Sequence, residues 1–260
     1  MKQGIYKVTE NKQLTPTVYR MKLAGDVSAI TVPGQFVNIK LDGHYLRRPI
    51  SVCNAEIDDP KTGEGTFTII YKVLGHGTED MTQFGSGREL DVLTGLGYGF
   101  DISKAGNFPL LIGGGVGIPP LYFTAKMMES FGSAPIVILG FNSKEEMFLV
   151  QEFIALKCSI IIATADGSVG VKGTVVDAFK ELMKLPGAAI SQFYACGPEA
   201  MLRAVYGAAY IEAGIPGQMS FEERMGCGFG ACMGCSIETR DGLKRVCKDG
   251  PVFKTEEILW

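Results

Sequence analysis

The pattern of hydrophobic and polar positions changes twice along the chain. Up to about residue 101, short alternating stretches such as TVYRMKL, GQFVNIKL and TFTIIYKV are separated by Gly, Asp and Pro clusters, which predicts an antiparallel sheet or small barrel. From about residue 108 to 214, continuous apolar runs alternate with helix-like segments, which predicts βαβ units around a parallel sheet. The remainder is rich in cysteine and glycine and has little periodic hydrophobicity.

These patterns predict an α+β multi-domain chain divided at residues 1–102, 103–214 and 215–260. The predicted strands of the second part are PLLIGG, APIVILGF, CSIIIATA and SQFYACG. Its predicted helices are PPLYFTAKMMESF, KEEMFLVQEFIAL, VVDAFKELMK and PEAMLRAVYGAAYIEAG. The third part is too short and too polar to assemble a large core, so we expect a metal centre to hold it together.

Composition excludes several classes of protein. With 260 residues, 46% of them hydrophobic, the chain can bury the cores of two compact units. The start, MKQGIYKVTENKQ, has no apolar run, and the apolar stretch at 108–123 is broken by Gly and Pro, so we expect a cytoplasmic protein without a membrane span. The net charge of -3, with scattered basic residues, argues against a nucleic-acid partner.

A glycine-rich turn follows the first predicted parallel strand, in LLIGGGVGIPPLYF. Gly114, Gly115 and Gly117 would let a phosphate group approach the backbone, and the prolines suit the first turn of the next helix. A plain strand-to-helix turn is the alternative. Because a proline stands where the fingerprint G-x-G-x-x-G has its third glycine, a standard Rossmann dehydrogenase is disfavoured.

Four of the seven cysteines, Cys227, Cys232, Cys235 and Cys247, have the spacing C-x4-C-x2-C-x11-C. Disulfides, zinc and an iron–sulfur cluster are the alternatives. An odd cysteine count and a reducing compartment argue against disulfides. Structural zinc usually shows two close pairs of ligands, and neither histidine of the chain is near in sequence. The first three cysteines match the plant-type [2Fe–2S] spacing, which favours a cluster.

Four motifs occur in the order found in the ferredoxin-NADP reductase superfamily, which the chain resembles: RRPISV, IYKVLGHGT, Gly-Gly-x-Gly-x-x-Pro and YACGPEAML. The resemblance implies a barrel that binds FAD and an α/β unit that binds a pyridine nucleotide. The flavin residues that it implies are Arg48, Pro49, Ile50, Ser51, Ile70, Tyr71, Lys72, Gly77 and Thr78. The nucleotide residues that it implies are Gly114, Gly115, Gly117, Cys196, Gly197 and Pro198.

Within these sets the resemblance places Arg48 at the flavin pyrophosphate, Ser51 near the isoalloxazine ring and Cys196 beside the nicotinamide. Many members have an aromatic residue where this chain has Ile50, which leaves Tyr71 as the candidate for stacking on the flavin. NADH is preferred over NADPH because GFNSKEEMF lacks an arginine for a 2′-phosphate and its Glu145 and Glu146 would repel one.

Over nearly its whole length the chain resembles the electron-transfer subunits of NAD-dependent (class 1B) dihydroorotate dehydrogenases, through LRRPIS, IIYKV, GHGT and ERMGCGFGAC. The resemblance implies FAD, one [2Fe–2S] cluster and NAD, an FMN-containing catalytic partner in an α2β2 heterotetramer, and a role in pyrimidine (UMP) biosynthesis. No catalytic residue for an organic substrate is expected here. A diaphorase subunit of a hydrogenase, sulfide dehydrogenase or ferredoxin-linked complex is one alternative, and a zinc-stabilised binding protein is another.

Overall fold

The first part of the chain is a closed antiparallel barrel. The computed structural model describes residues 1–187 and 189–260. The barrel strands, in the order β1-β2-β5-β4-β3-β6, are β1 (Lys2–Thr15), β2 (Val18–Asp26), β3 (Phe36–Ile39), β4 (Arg48–Asp59), β5 (Glu64–Lys72) and β6 (Glu89–Leu96). Alternate side chains such as Tyr6 and Val8 fill its interior, as expected for period-two strands. A short helix, α1 (His76–Met81), connects β5 to β6.

The second part is a seven-stranded sheet of the order β10-β9-β8-β7-β11-β12-β15. Its elements are β7 (Pro109–Gly114), α2 (Ile118–Ser130), β8 (Ile136–Phe141), α3 (Val150–Ala155), β9 (Ser159–Thr164), β10 (Val171–Lys172), α4 (Val175–Met183), β11 (Gln192–Cys196), α5 (Glu199–Val205), β12 (Gly217–Ser220) and β15 (Val252–Lys254). The strands pair in parallel except for β15, which is antiparallel to β12. The predicted barrel and parallel sheet are therefore confirmed.

One predicted helix is interrupted. The segment 144–156 reads as a single helix from its sequence, but it forms a 3-10 turn at Lys144–Glu146 and then α3, which begins only at Val150. Leu149 adopts a left-handed backbone with φ 62°. The break turns Phe148 inward, where its ring packs edge-on against Phe141 at 5.8 Å, so tertiary packing overrides the helical pattern.

The cysteine-rich segment lies between two strands of the sheet, β12 and β15. It contains a small hairpin, β13 (Ser236–Thr239) and β14 (Gly242–Arg245). Cys235 and Cys247 share one hydrophobic cluster with Phe36 of the barrel and Met219 of the sheet. The segment thus packs where barrel and sheet meet. The division into residues 1–102, 103–214 and 215–260 stays a proposal. Residues of the proposed third part, in β12 and β15, belong to the same sheet as the second part. Within the described ranges, no helix is both long and apolar enough to span a bilayer.

Candidate cofactor sites

A cavity of about 590 Å³ lies between the barrel and the carboxyl ends of the parallel strands. This is the edge at which open α/β sheets bind ligands. Many residues that the sequence predicts to bind cofactors line it, namely Ser51, Lys72, Gly114, Gly115, Gly117, Cys196, Gly197 and Pro198. Residues from four separate segments of the sequence therefore meet in one cavity.

The glycine turn between β7 and α2 forms one wall of the cavity. Gly115–Gly117 is a 3-10 turn in which Gly115 has φ 52°, a left-handed conformation that suits glycine. A Cβ atom on Gly117 would lie 2.3 Å from the carbonyl oxygen of Cys196. Glycine here allows the turn to lie directly against the end of β11, with the α2 N-terminus at the cavity.

The Cys196 thiol is buried at the end of β11, with 8% of the residue exposed. Burial raises its pKa to about 12, although a hydrogen bond with the Ser220 side chain opposes the shift. Cys196 is accordingly a neutral thiol at physiological pH and lines the cavity as a small, weakly polar group rather than as a nucleophile.

Three further residues at the cavity, Ser220, Phe221 and Glu222, were not predicted. They follow from the pairing of β11 with β12, which places Cys196 opposite Ser220. Burial raises the pKa of Glu222, and the charge of Glu223 adds to the shift. The strand itself, GQMS, has no hydrophobic pattern that would signal it, and it lies in a segment that the sequence pattern assigned to the cysteine-rich part.

Glu146 also lines the cavity, whereas Glu145 does not. The Glu146 carboxylate accepts two hydrogen bonds from the Asn142 side chain, at 2.9 and 3.1 Å. Glu145 is exposed and bonded to the neighbouring Ser143 hydroxyl. Of the two acidic residues predicted to repel a 2′-phosphate, Glu146 is thus the one that lines the cavity.

The two adjacent arginines at the start of β4, Arg47 and Arg48, have different environments. Arg47 makes a bidentate ion pair with Asp91, at 2.9 and 3.0 Å, and is thereby fixed in the barrel wall. Arg48 has no carboxylate within ion-pair distance among residues 1–187 and 189–260. Its guanidinium lies against Gly77 so closely that a Cβ there would be 2.3 Å from the Arg48 Nε atom. The structure therefore brings together two motifs that the resemblance assigns to the phosphates of the flavin.

The other predicted flavin residues have different surroundings: Ile50, Ile70 and Tyr71 lie on strands, and Thr78 lies in α1. Tyr71 is 3% exposed, and its hydroxyl donates to the Asn11 side chain at 3.2 Å. Burial raises the pKa of Tyr71 to about 12. Ile70 is buried in the core between barrel and sheet, and Ile50 packs against the barrel core. The Thr78 hydroxyl accepts hydrogen bonds from the backbone of its own turn.

The four clustered cysteines occur as two pairs. The Cys227 thiol interacts with the neighbouring Cys232 thiol, and the backbone amide of Cys247 donates to the Cys235 sulfur at 3.4 Å. Among the residues that the structure describes, no three such side chains converge on one ion position. Two pairs fit a binuclear cluster, in which each iron takes two protein ligands in addition to the bridging sulfides.

The sulfur environments differ within these pairs. Burial opposes ionisation of Cys227, but hydrogen bonds from backbone amides and the Cys232 thiol outweigh it and lower the pKa of Cys227 to about 6. Burial, followed by the neighbouring Cys235 thiol, raises the pKa of Cys247 to about 12. Cys232 is exposed, whereas Cys235 and Cys247 are buried. The loop therefore presents one cysteine of the four to the protein surface.

The cysteine loop is attached directly to the barrel. The Asn38 side-chain amide donates to the Cys227 carbonyl at 3.3 Å, and a Cβ on Gly228 would lie 2.2 Å from that amide. Asn38 is opposite Pro49 in the β3–β4 ladder, and Pro49 follows Arg48 in the predicted flavin motif. A single hydrogen bond and one strand pairing thus connect a cysteine of the loop with the flavin motif.

Residues 222–259 match the model of the family described as the iron–sulfur cluster binding domain of dihydroorotate dehydrogenase B. The chain is 43% identical over 259 residues to the dihydroorotate dehydrogenase B (NAD+) electron transfer subunit of Fusobacterium nucleatum, with 96% of each chain covered. It is 39% identical to that of Bacillus mycoides, with 97% of this chain and 96% of the relative covered. The chain belongs to this family of electron transfer subunits.

Solved structures agree with the fold of these electron transfer subunits. A chain of the NADH-dependent reduced ferredoxin-NADP oxidoreductase superposes with a TM-score of 0.87 and 30% identity, covering 99% of this chain and 90% of that one. A ferredoxin NADP+ reductase from Neisseria gonorrhoeae, solved with FAD and NADP, superposes with a TM-score of 0.69 at 17% identity, covering 86% and 94%. The ferredoxin-reductase-like fold expected from the motifs is confirmed.

Proposed function

We propose that this chain, as the electron transfer subunit of an NAD+-linked dihydroorotate dehydrogenase, carries electrons from a [2Fe–2S] cluster through FAD to NAD+. The observation that supports it best is that the cysteine loop, the flavin strand and the nucleotide cavity are joined by direct contacts in one molecule. The cysteine loop lies on β3, β3 pairs with the flavin strand β4, and Ser51 of β4 reaches the nucleotide cavity. Bound FAD exchanges a hydride with NAD and single electrons with an iron–sulfur cluster.

In this proposal the barrel holds FAD through its pyrophosphate. Arg48 has no carboxylate partner in the part of the chain that the structure describes, and Gly77 leaves room for its guanidinium beside the α1 turn. An arginine can donate two parallel hydrogen bonds to a phosphate, which gives both affinity and orientation. Ser51, two positions past Pro49 on the same face of β4, then lies at the boundary between flavin strand and cavity.

The α/β unit holds the nucleotide in the cavity. The turn Gly115–Gly117 and the start of α2 offer backbone amides to the nucleotide pyrophosphate. Cys196, as a neutral buried thiol, lines the nicotinamide end without competing chemistry. Glu146 at the other end favours NADH over NADPH, because it would repel a 2′-phosphate.

Cys227, Cys232, Cys235 and Cys247 would hold the cluster, and the cluster would supply one-electron transfer. Metal binding would deprotonate all four thiols. Backbone amides already directed at the Cys227 sulfur, including that of Ala231 at 3.2 Å, are the type of contact that tunes the reduction potential of a cluster.

Dihydroorotate is oxidised on a partner, which we propose to be an FMN-containing catalytic subunit in a cytoplasmic α2β2 heterotetramer. The exposed Cys232 is flanked by two exposed apolar side chains, Phe229 (46% exposed) and Met233 (52% exposed). An apolar rim around an exposed cluster ligand fits a protein surface through which single electrons enter. A diaphorase subunit of another complex is less well supported, because the relatives at 39–43% identity carry the dihydroorotate dehydrogenase B name.

The purified chain tests the proposal by its absorption spectrum. We expect flavin bands together with broad iron–sulfur absorption, and we expect anaerobic NADH to bleach both. The variant Cys232→Ser should lose the cluster absorption and retain FAD, while Cys158→Ser, at a half-buried cysteine away from the cluster, should keep both. A colourless protein, or one whose bands do not respond to NADH, would refute the electron-transfer function.

A further inference from the structure

A chain of hydrogen bonds ends at the Arg48 guanidinium. Arg48 Nη2 is 3.0 Å from His44 Nδ1, and His44 Nε2 is 2.8 Å from Asp80 Oδ2. His44 belongs to the loop between β3 and β4, whereas Asp80 belongs to α1. The imidazole therefore lies between the arginine and the acid, and only 18% of its side-chain surface is exposed.

The protonation of His44 follows from its two partners. A guanidinium has five N–H donors and no acceptor, so Nδ1 must accept the hydrogen bond from Arg48 and cannot carry a proton. The neutral ring then carries its proton on Nε2, which donates to the Asp80 carboxylate. Asp80 thus selects the tautomer that can hold Arg48.

This arrangement fixes the arginine without neutralising it. A carboxylate in direct contact with Arg48, like that of Asp91 on the neighbouring Arg47, would compete with a phosphate for the guanidinium. On Arg48 the contacts are a neutral imidazole and the backbone carbonyl of Leu46. Two of its five N–H donors are used in these contacts, which leaves three without a bond in the described part of the chain.

The same bonds join the two halves of the proposed phosphate site. Asp80 is three positions past Gly77 on α1, and Gly77 lies against the Arg48 guanidinium. His44 is four positions before Arg48. The His44–Asp80 bond therefore ties the loop that leads to Arg48 to the helix that carries Gly77 and Thr78.

We propose that His44, oriented by Asp80, is a positioning residue that holds the Arg48 guanidinium toward the flavin pyrophosphate with its full charge available. The inference rests on the proposed function, in which Arg48 binds that pyrophosphate. Neither His44 nor Asp80 belongs to the motifs that indicated a flavin, and neither contacts the nucleotide cavity.

The test compares two ligands that share the isoalloxazine ring. The full chain, freed of flavin and reloaded, is titrated with FAD and with riboflavin, and the quenching of flavin fluorescence gives each affinity. We expect His44→Phe to weaken FAD binding about tenfold, as for the loss of orientation of one charged hydrogen-bond donor, and to leave riboflavin unchanged because riboflavin has no phosphate. His44→Gln should recover most of the affinity, since its amide supplies an acceptor and a donor at similar spacing.

Two further variants keep the inference testable if His44→Phe does not fold. Asp80 is exposed, so Asp80→Ala should fold. It should lower the affinity for FAD severalfold, because the His44 imidazole loses the bond that orients it. Asp42→Asn, on the same loop as His44, breaks only an exposed ion pair with Arg88 and should leave both affinities unchanged.

Arg48→Ala separates the inference from the proposed function. Suppose that Arg48→Ala lowers the affinity for FAD but not for riboflavin, while His44→Phe and Asp80→Ala bind FAD as the wild type does. The positioning role of His44 is then wrong, and the proposed pyrophosphate site at Arg48 is supported. Equal losses of FAD and riboflavin in His44→Phe would indicate a general structural role and would also overturn the inference. If Arg48→Ala leaves FAD binding unchanged, the proposed phosphate site itself is wrong.

Discussion

At the scale of single residues, we expect Glu146 to govern the choice between NADH and NADPH. It lines the cavity and is held by Asn142, whereas its neighbour Glu145 is exposed and outside the cavity. We expect Glu146→Arg to raise kcat/KM for NADPH relative to NADH by about tenfold, because a carboxylate that repels the 2′-phosphate becomes a guanidinium that binds it.

Ferricyanide reduction measures this ratio, and Glu145→Arg is the matched control. Both variants change the charge by the same amount at adjacent positions, so a general effect of charge would move both equally. An unchanged ratio in Glu146→Arg, or an equal rise in Glu145→Arg, would show that this end of the cavity does not meet the adenosine ribose.

Cys53 provides a prediction on alkaline stability. This thiol is 2% exposed in the core between barrel and sheet, and burial raises its pKa far above the ordinary 9.0. Its contribution to stability is complete below the unfolded-state pKa and is lost as the pH rises above it, because only the unfolded chain can release the proton. Above about pH 9, the free energy of unfolding should fall by up to about 1.4 kcal/mol per pH unit from this group.

Cys53→Ala removes this proton release. The variant is expected to have a lower Tm at pH 8 because it leaves a small cavity, but to lose less Tm between pH 8 and pH 10 than the wild type does. Thermal scans at the two pH values measure the difference. The same loss of Tm in both proteins would mean that Cys53 ionises as readily in the folded chain as in the unfolded one.

At the scale of elements, the turn between β7 and α2 depends on close contact with β11. We expect Gly117→Ala to weaken NADH binding about tenfold and to lower the free energy of unfolding by about 1–3 kcal/mol, since the added methyl group would meet the Cys196 carbonyl at 2.3 Å. Gly207→Ala is the control, because a Cβ there meets nothing within 4 Å. Equal NADH affinities in wild type and Gly117→Ala would separate this turn from the nucleotide.

The elements that the sequence predicted well are those with an uninterrupted pattern. The strands β7, β8, β9 and β11 are continuous apolar runs, and their order along the chain fixed the positions of the glycine turn and Cys196. The strand β12 was missed because its four residues, Gly217–Ser220, have no period of their own and are recognisable only by pairing with β11. Ser220 and Glu222 were missed with it.

The sequence pattern also could not predict which individual side chains are buried. Tyr71 was the candidate for stacking on the flavin, but alternation along β5 does not tell which face meets the barrel interior, and the ring is 3% exposed. The bond from His44 to Asp80, which orients His44 for Arg48, joins a loop to a helix residue 36 positions away. Such contacts follow from tertiary packing rather than from local propensity.

At the scale of the whole molecule, the cysteine loop is an insertion between two strands of the nucleotide-binding sheet. Its glycine-rich sequence packs few side chains of its own, and its buried cysteines share a core with barrel and sheet residues such as Phe36 and Met219. This placement makes the cluster loop depend on both larger units for its position. It also leaves the loop tip, with Phe229, Cys232 and Met233, on the outside of the molecule.

That tip is where we expect the catalytic subunit to bind. Phe229→Glu should weaken association with the catalytic subunit at least about tenfold, because it places a charge at the centre of an apolar contact, while NADH-dependent ferricyanide reduction and cluster absorption stay unchanged. Phe131→Glu, at an aromatic residue that is 76% exposed at the end of α2, is the control and should not affect association. Co-purification and dihydroorotate-dependent NAD+ reduction measure the effect. Normal assembly of the Phe229→Glu variant would place the partner on another face, and a simultaneous loss of cluster absorption would mean that Phe229 supports the loop rather than the interface.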